Sequence, residues 1–402
     1  MTLHPPPAPP WASSLVSVGV TGTNGKTTTT AWLAALLGLL ARPVARVTTL
    51  GCFLDDAPLE VPAHYAGFLA TMERCVEAGG RYAALELTSE ALSLGFAQSW
   101  PCQLGIFTNL SLDHSDAHGS PEHYLASKAQ LFMALREGGR ALLNGCDNNA
   151  ALLRDVIAPG IDVAYYGVGS RGSAWAPLDL STDPPEITLH GSRARLWGSA
   201  RFEALPTLLE IRGVGEIFVE NALAALGGAM LLGVPARDAL RALKKLPPPP
   251  GRFQVVCRAP DVIVDYAHTP DALERTLATA RRLCRRSLTV VFGAGGDRDR
   301  SKRPLLGAAA RAADHVVLTS DNPRHEAPQR IADEVAEGLG AHPNVTREPD
   351  RERAIVLAVT RARPDDLVLI AGKGHELTQE IAGHKLPFSD VAIVQRSRKA
   401  TR

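Results

Sequence analysis

Cysteine is scarce in this sequence, and the few present form no recognisable pair. Cys52, Cys75, Cys102, Cys146, Cys257 and Cys284 are the 6 cysteines in 402 residues, and no two are spaced Cys-x-x-Cys. A zinc knuckle or a dithiol redox pair is thereby excluded. The pattern reads as reduced thiols, mostly in the core, of a cytoplasmic protein. No His-Glu-x-x-His occurs, which excludes the helical zinc site of metalloproteases. An excess of one charge is also missing: 43 Lys and Arg stand against 42 Asp and Glu, a net of +1. No strong field therefore favours nucleic acid or an acidic membrane as partner. Long apolar runs are absent too, the longest, Ala31–Ala41, being too short to cross a bilayer. The start, His4–Pro10, is proline-rich without an apolar signal core, so neither export nor a membrane span is expected.

What the sequence does have is alternation. Short β-rich runs and helical patterns follow one another almost throughout, the mark of parallel α/β sheets. Strands are expected at Leu15–Val20, Tyr82–Leu87, Leu104–Thr108 and Arg140–Leu143, with helices such as Lys26–Leu40 and Pro121–Arg136 between them. Helical periodicity fades over residues 160–212, which read as a β-rich excursion from the sheet before a helix, Val219–Leu232, brings the chain back. The clearest boundary is Lys244–Gly251, where 4 consecutive prolines make a stiff extended connector. Beyond it, strands are expected at Asp261–Asp265, Ser287–Phe292, His315–Thr319 and Leu367–Ile370. The fold class is thus α/β: a P-loop-type central ATPase domain on a parallel sheet, residues 15–246, and a C-terminal Rossmann-like α/β domain, residues 251–402. Residues 1–14 are expected to be a flexible proline-rich start. Two such domains on a stiff linker are expected to form a cleft that closes on a ligand.

The chemistry begins at Gly22-Thr23-Asn24-Gly25-Lys26-Thr27-Thr28, directly after an apolar run. A strand that ends in a glycine-rich turn and opens a helix cradles phosphate: backbone N–H groups approach the anion, Lys26 adds positive charge, and Thr27 offers a hydroxyl to Mg²⁺. The spacing is shorter than the common Gly-x4-Gly-Lys loop, so a plain glycine turn is the competing reading. Glu86 ends an apolar strand on the side that faces the ligand crevice, where it suits Mg²⁺ or a simple salt bridge. Polar residues cluster again after the next strand, from Thr108 through Asp113, His114, Asp116 and His118. His114 there suits a second metal ion, phosphate or plain solvation. Lys128, on the helix Tyr124–Leu135, reads alone as a surface lysine of an amphipathic helix. In the second half, Asp265 ends a strand and suits a ribose or a helix cap, although Thr269 before Pro270 serves the cap better. Three further strand ends carry charge: Gly293–Arg300 with Arg298, Ser320–Arg324 with the planar fork of Arg324, and Ala371–Glu376 with Glu376. Together they look like a receptor for a zwitterionic amino acid.

Taken in order, Gly22–Thr28, Phe107–His114, Lys128–Phe132, Gly251-Arg252-Phe253, Asp265–Leu273, Gly295–Asp299, Asp321-Asn322-Pro323-Arg324 and Gly372–Glu376 resemble the Mur ligases. The resemblance runs from about residue 15 to residue 390. It lies nearest the branch that adds a diamino acid to UDP-N-acetylmuramoyl dipeptide. It implies an ATP-dependent, ADP-forming amide ligase, in which ATP phosphorylates a carboxylate, an amine attacks the acyl phosphate and phosphate leaves. By that resemblance Lys26, Glu86, His114 and Lys128 are catalytic, with Lys128 carbamylated. Thr27, Glu86, His114 and Lys128 serve Mg²⁺. Gly22, Thr23, Asn24, Gly25, Lys26, Thr27 and Thr28 hold the nucleotide, with Asn221, Arg252 and Asp265. Arg298, Asp321, Asn322, Arg324, Gly372 and Glu376 hold the amino acid, and Asp-Asn-Pro-Arg is the form associated with meso-diaminopimelate. Departures fall on the UDP-muramoyl side. The phosphate loop begins at Gly22, so the family's N-terminal UDP-binding domain is expected to be missing. Thr88-Ser89-Glu90-Ala91-Leu92 replaces Ser-Ser-His-Ala-Leu, and Gly215-Glu216-Ile217-Phe218 replaces Gly-x-Phe-Asn. The expectation is a small-molecule ligase whose carboxylate acceptor is not UDP-linked. The alternatives are a UDP-N-acetylmuramoyl-tripeptide synthetase, a non-catalytic ATP-binding scaffold and a folate-type glutamate ligase; Glu376 opposes the last by repelling a glutamate side chain.

Overall fold

Apolar, β-branched runs build the first sheet. The strands are β1 (Val16–Thr21), β2 (Val44–Thr48), β3 (Gly51–Leu54), β4 (Ala57–Pro58), β5 (Tyr82–Glu86), β6 (Leu104–Phe107), β7 (Arg140–Asn144), β8 (Asp162–Val168), β9 (Leu180–Thr182), β10 (Glu186–Thr188), β11 (Gly191–Gly198) and β12 (Leu208–Ile211). This is a computed structural model, and it describes residues 5–62, 64–110, 121–169, 176–202 and 205–400. The chain divides into two compact units, Met1–Pro247 and Pro248–Arg402, with the break inside the proline run.

In the first unit the strand order is β10-β11-β9-β8-β7-β6-β1-β5-β2-β3-β4, with β12 beside β11. From β2 to β9 every neighbouring pair is parallel, and Val18 of β1 lies opposite Ala84 of β5 and Leu104 of β6. Both faces of such a sheet are covered, which is why its strands read as continuous apolar runs. Helix Glu216–Leu231 is buried nearly all round, and its small residues let it approach closely: a Cβ at Gly228 would stand 2.7 Å from Ile106 Cδ1. On the other face Phe68, Met72, Trp100, Phe107, Leu131 and Phe132 form one buried cluster.

Three expectations change here. Residues 160–212 do not leave the sheet at once, because β8 and β9 extend it in parallel and only β11 turns antiparallel. β2 and the hairpin β3–β4 have no counterpart in the sequence reading, since Arg46 and the half-exposed β3 break the apolar pattern. The proline-rich start, from residue 5 onward, is fastened rather than flexible. Ala8 N–H donates to Ser99 O at 2.9 Å, the Tyr65 hydroxyl to Pro6 O at 3.0 Å, and Trp11 meets Trp100 edge-on. The cysteines are all free, but only Cys75 and Cys102 are buried and Cys146 is exposed. Burial pushes the Cys102 thiol up to about 12, which keeps it inert.

The second unit carries β13 (Gln254–Cys257), β14 (Asp261–Asp265), β15 (Leu288–Phe292), β16 (His315–Leu318), β17 (Val345–Arg347) and β18 (Leu367–Ala371), in the order β13-β14-β18-β15-β16-β17. All pairs but β13–β14 are parallel. Thr269, not Asp265, caps helix Pro270–Leu283, accepting from Ala272 N–H at 3.3 Å. A wholly buried ion pair ties two helices together: Arg351 Nε and Nη2 donate to the two Asp390 oxygens at 2.9 and 2.8 Å. Hairpin β19 (Thr378–Ile381)–β20 (His384–Pro387) stands apart from the sheet. Among the described residues no helix is long and apolar enough to cross a membrane.

Candidate active site

In the first unit, β1 ends at Thr21 and the glycine-rich loop delivers the chain to helix Lys26–Leu37. Gly22 and Gly25 have φ of 150° and 85°. A Cβ at Gly22 would fall on Thr108 Oγ1, and one at Gly25 on Asn221 Oδ1, so both positions demand glycine. Lys26 Nζ curls back to donate to Gly22 O at 3.1 Å and Thr23 O at 2.9 Å. Lys128 Nζ donates to the same Gly22 carbonyl at 2.8 Å and lies 4.0 Å above the Tyr124 ring. Lys128 is therefore not the surface lysine that its helix pattern suggests. It is 1% exposed, because helix Pro121–Met133 turns this face to the loop and Tyr124 covers it. Two ammonium groups thus converge on one loop at a helix N-terminus, where the dipole already favours an anion.

The loop is gripped from β6. Asn109 O accepts from Thr23 N–H at 2.7 Å, Asn109 Oδ1 accepts from Asn24 N–H at 2.9 Å, and Asn24 O accepts from Thr108 Oγ1 at 2.7 Å. Asn221 is buried and supports Gly25, its Oδ1 accepting from Thr29 Oγ1 at 3.4 Å. Thr28 is buried in the first helical turn. Thr27 and Glu86 are joined through Thr49: the Thr27 and Thr49 hydroxyls are 3.5 Å apart, and Thr49 N–H donates to Glu86 Oε2 at 3.0 Å. A hydroxyl and a carboxylate are hard oxygen donors, the kind Mg²⁺ takes. Among the described residues no group of three His, Cys, Asp or Glu side chains can hold a metal ion, and His114 lies outside those residues. Sequence reasoning missed Thr49, which follows the unforeseen β2. It quoted Thr108 and Asn109 within a motif but gave them no task.

In the second unit the groups cluster after β14, β15, β16 and β18. Arg252 lies over the Tyr266 ring at 4.3 Å. Asp265 is buried and tied to its own chain: Oδ2 accepts from Phe253 N–H at 2.6 Å, and Oδ1 from Ala267 N–H at 2.9 Å and Thr276 Oγ1 at 3.2 Å. It fastens the loop that carries Arg252. Arg324 takes a left-handed φ of 51° and donates from Nη1 to Gly296 O at 2.6 Å. Arg298 is exposed and makes no hydrogen bond among the described residues. A Cβ at Gly295 would stand 3.1 Å from Arg324 Nη1 and 3.6 Å from Arg298 Cγ, so the Arg324 guanidinium and the stem of Arg298 lie beside one glycine, and Arg324 Nε also stands 3.6 Å from Glu380 Oε2. Across the loops, Asn322 Nδ2 and Lys373 Nζ donate to Glu376 Oε2 at 2.9 and 2.7 Å. Burial opposes charge on Glu376, but the bonds from Lys373 and Asn322 outweigh it and hold the carboxyl below its usual range. Asp321 Oδ2 is buried without a hydrogen bond, against Gly372 at φ 114°. Beneath the loops, buried Arg303 donates to Glu326, Glu334 and Gly295 O, and Glu326 in turn accepts from Asp297 N–H at 2.6 Å. Sequence periodicity gave no sign of either buried cation, Lys373 or Arg303.

The sequence matches the Mur ligase middle domain over residues 20–229 and the Mur ligase, glutamate ligase domain over residues 251–374. The chain belongs to the Mur ligase family. It is accordingly an ATP-dependent amide ligase with an α/β fold. One curated relative, the UDP-N-acetylmuramoyl-L-alanyl-D-glutamate–2,6-diaminopimelate ligase of Thermosynechococcus vestitus, is 40% identical over 386 residues, which span 93% of this chain and 74% of the relative. A solved structure of a ligase with that name superposes with a TM-score of 0.65 at 32% identity, covering 96% of this chain and 79% of the other. E. coli FolC, solved in complex with DHPP and ADP, shares the fold at 20% identity with a TM-score of 0.69, covering 97% and 91%.

Proposed function

We propose that this Mur ligase joins meso-diaminopimelate to the D-glutamyl carboxylate of UDP-N-acetylmuramoyl-L-alanyl-D-glutamate in the cytoplasm. The first unit takes ATP on the Gly22–Thr28 loop. Its γ-phosphoryl group passes to the acceptor carboxylate, giving an acyl phosphate and ADP. The amine of the diamino acid then attacks the acyl carbon, loses a proton, and inorganic phosphate departs. Lys26 and Lys128 set positive charge where phosphoryl oxygens gather it, and the backbone N–H groups of the opening turn add fixed donors that need no reorganisation. Thr27 and Glu86, with His114, are the residues that would hold Mg²⁺, which when bound neutralises phosphoryl charge. Carbamylation of Lys128 would replace its positive charge with an anionic oxygen ligand for the same ion, leaving Lys26 as the cation on the phosphoryl oxygens. Asn221 and Asp265 brace the nucleotide loops, and Arg252 on Tyr266 offers a flat cationic face for the base or ribose.

In the second unit Arg298 and Arg324 receive carboxylate and Glu376 receives ammonium, with Asn322, Asp321 and Gly372 shaping the pocket. The observation that carries this reading is the Arg324 guanidinium beside Gly295, with the stem of Arg298 on the same glycine, together with a separately anchored carboxylate at Glu376. The names of the relatives support the same donor and acceptor. Glu90, Ile217 and Phe218, which stand where the family pattern has His, Phe and Asn, favour a second reading in which the acceptor is a different carboxylate. One experiment separates the two. Purified protein with ATP, Mg²⁺ and meso-diaminopimelate is offered the UDP-linked dipeptide or a panel of simpler peptides, and phosphate release and product mass are read. A tripeptide product from the UDP-linked acceptor supports the first reading. Turnover only with another acceptor supports the second, and no phosphate release with any pair sinks both.

A further inference from the structure

Lys373 has no part in the roles above, yet it lies at the centre of the amine-binding loops. Its side chain is wholly buried, and a buried ammonium is costly unless it is paired and hydrogen-bonded. Nζ donates to Glu376 Oε2 at 2.7 Å and to Asn322 Oδ1 at 2.8 Å. Asn322 Oδ1 accepts a second bond from Glu380 N–H at 3.0 Å. With two donors on that oxygen the amide has one orientation, and its Nδ2 is delivered to Glu376 Oε2 at 2.9 Å. Glu376 Oε2 thus receives both bonds, while Oε1 receives none among the described residues. A carboxylate with one oxygen saturated and the other open offers a single, directed acceptor.

We propose that Lys373 is a positioning residue for amine recognition: it locks Asn322 and Glu376 into one unit and leaves Glu376 Oε1 to accept from the ammonium group of the incoming amino acid. The inference rests on reading these loops as the amino-acid receptor. The local charge agrees. Lys373 and Arg351 are positive, whereas Glu376, Asp321 and Asp390 are negative, and all three carboxylates act on Arg351. Lys373 therefore offsets part of the negative charge of these three carboxylates. The charged groups acting on Glu376 are Lys373 and His375 from its own loop and Arg351 from helix Arg351–Arg361.

The test compares wild type with Lys373→Met in the full-length protein. Binding of meso-diaminopimelate is followed by calorimetry, saturation by ATP and by the amino acid is followed by phosphate release, and folding by thermal melting. The expected result is at least a tenfold weaker affinity for the amino acid, with KM for ATP changed less than twofold. The acid limb of kcat/KM for the amino acid should move to higher pH, because Glu376 ionises less readily without its ammonium partner. Equal losses for ATP and amino acid, or an unmoved acid limb, would overturn the proposal. Should Lys373→Met fail to fold, the double variant Lys373→Met/Glu376→Gln removes both charges of the pair together. It should bind the amino acid no worse than Glu376→Gln alone, and binding weaker than that of Glu376→Gln would overturn the coupling. A wild type that binds and ligates some other amino acid would refute only the proposed substrate, with the comparison then made on that amino acid. A wild type that binds no amino acid would refute both.

Discussion

At the scale of single residues, the cations drawn wholly or partly into the fold matter most. Lys26 and Lys128 both donate to the Gly22 carbonyl, so the loop's positive charge is fixed before any anion arrives. Replacing Lys26 by Ala removes a prepositioned donor of the kind worth about a hundredfold to a thousandfold in rate. Phosphate release by Lys26→Ala should fall by at least that lower factor, while its melting temperature stays close to wild type. Arg303 does comparable work under the second set of loops. Its bond to Glu326 holds that carboxyl down to about 2, against an ordinary 4.5. The stability this adds is complete above about pH 4.5 and is lost as the pH falls from there towards 2. Glu326→Gln should therefore be less stable than wild type by about 2 kcal/mol at pH 7, the worth of a hydrogen bond to a charged group. The gap should narrow steadily in urea titrations between pH 4.5 and 2. Lysine or arginine burial is a property of the finished fold. That is why Glu86, Arg324 and Glu376 were legible as strand-end residues in the sequence, whereas the supporting Lys373, Arg303 and Thr49 were not.

Among elements, legibility followed the pattern each one presents. β14, running Asp261–Asp265, coincides with its expectation, and β1, β5, β6, β7, β15, β16 and β18 differ from theirs by a residue at one end or both. They are parallel, covered on both faces and therefore plainly apolar. β8 and β9 were misplaced because the segment they share with antiparallel strands dilutes the signal, and parallel pairing leaves no local trace. Helix contacts are equally silent in the sequence. Helices Lys302–Ala310 and Pro328–Leu339 cross where Gly307 meets Val335 and Gly338 meets Pro304, with no room for a methyl group. Gly338→Ala should force them apart and cost about 1–3 kcal/mol, as overpacking does. Thermal melting should register that loss.

For the molecule as a whole, the division at the proline run has a direct consequence. Residues 248–402 hold a complete sheet and their own apolar core of Val262, Val264, Val291, Ile355, Val368, Ile370 and Ile393. Expressed alone, this unit should fold and melt in a single cooperative transition. A broad or absent transition by calorimetry would show that its core is not self-sufficient. Both sheets also share a polarity. β1, β5 and β6 hand the chain to the loops proposed to hold phosphate and Mg²⁺ at their carboxyl ends, and β14, β15, β16 and β18 do the same for the loops proposed to hold nucleotide and amino acid. Scaffold and chemistry are therefore written in separate stretches of the gene. Strand interiors can drift among apolar residues without altering what is made, whereas exchanging a handful of loop codons between relatives should transplant a substrate preference onto an unchanged frame.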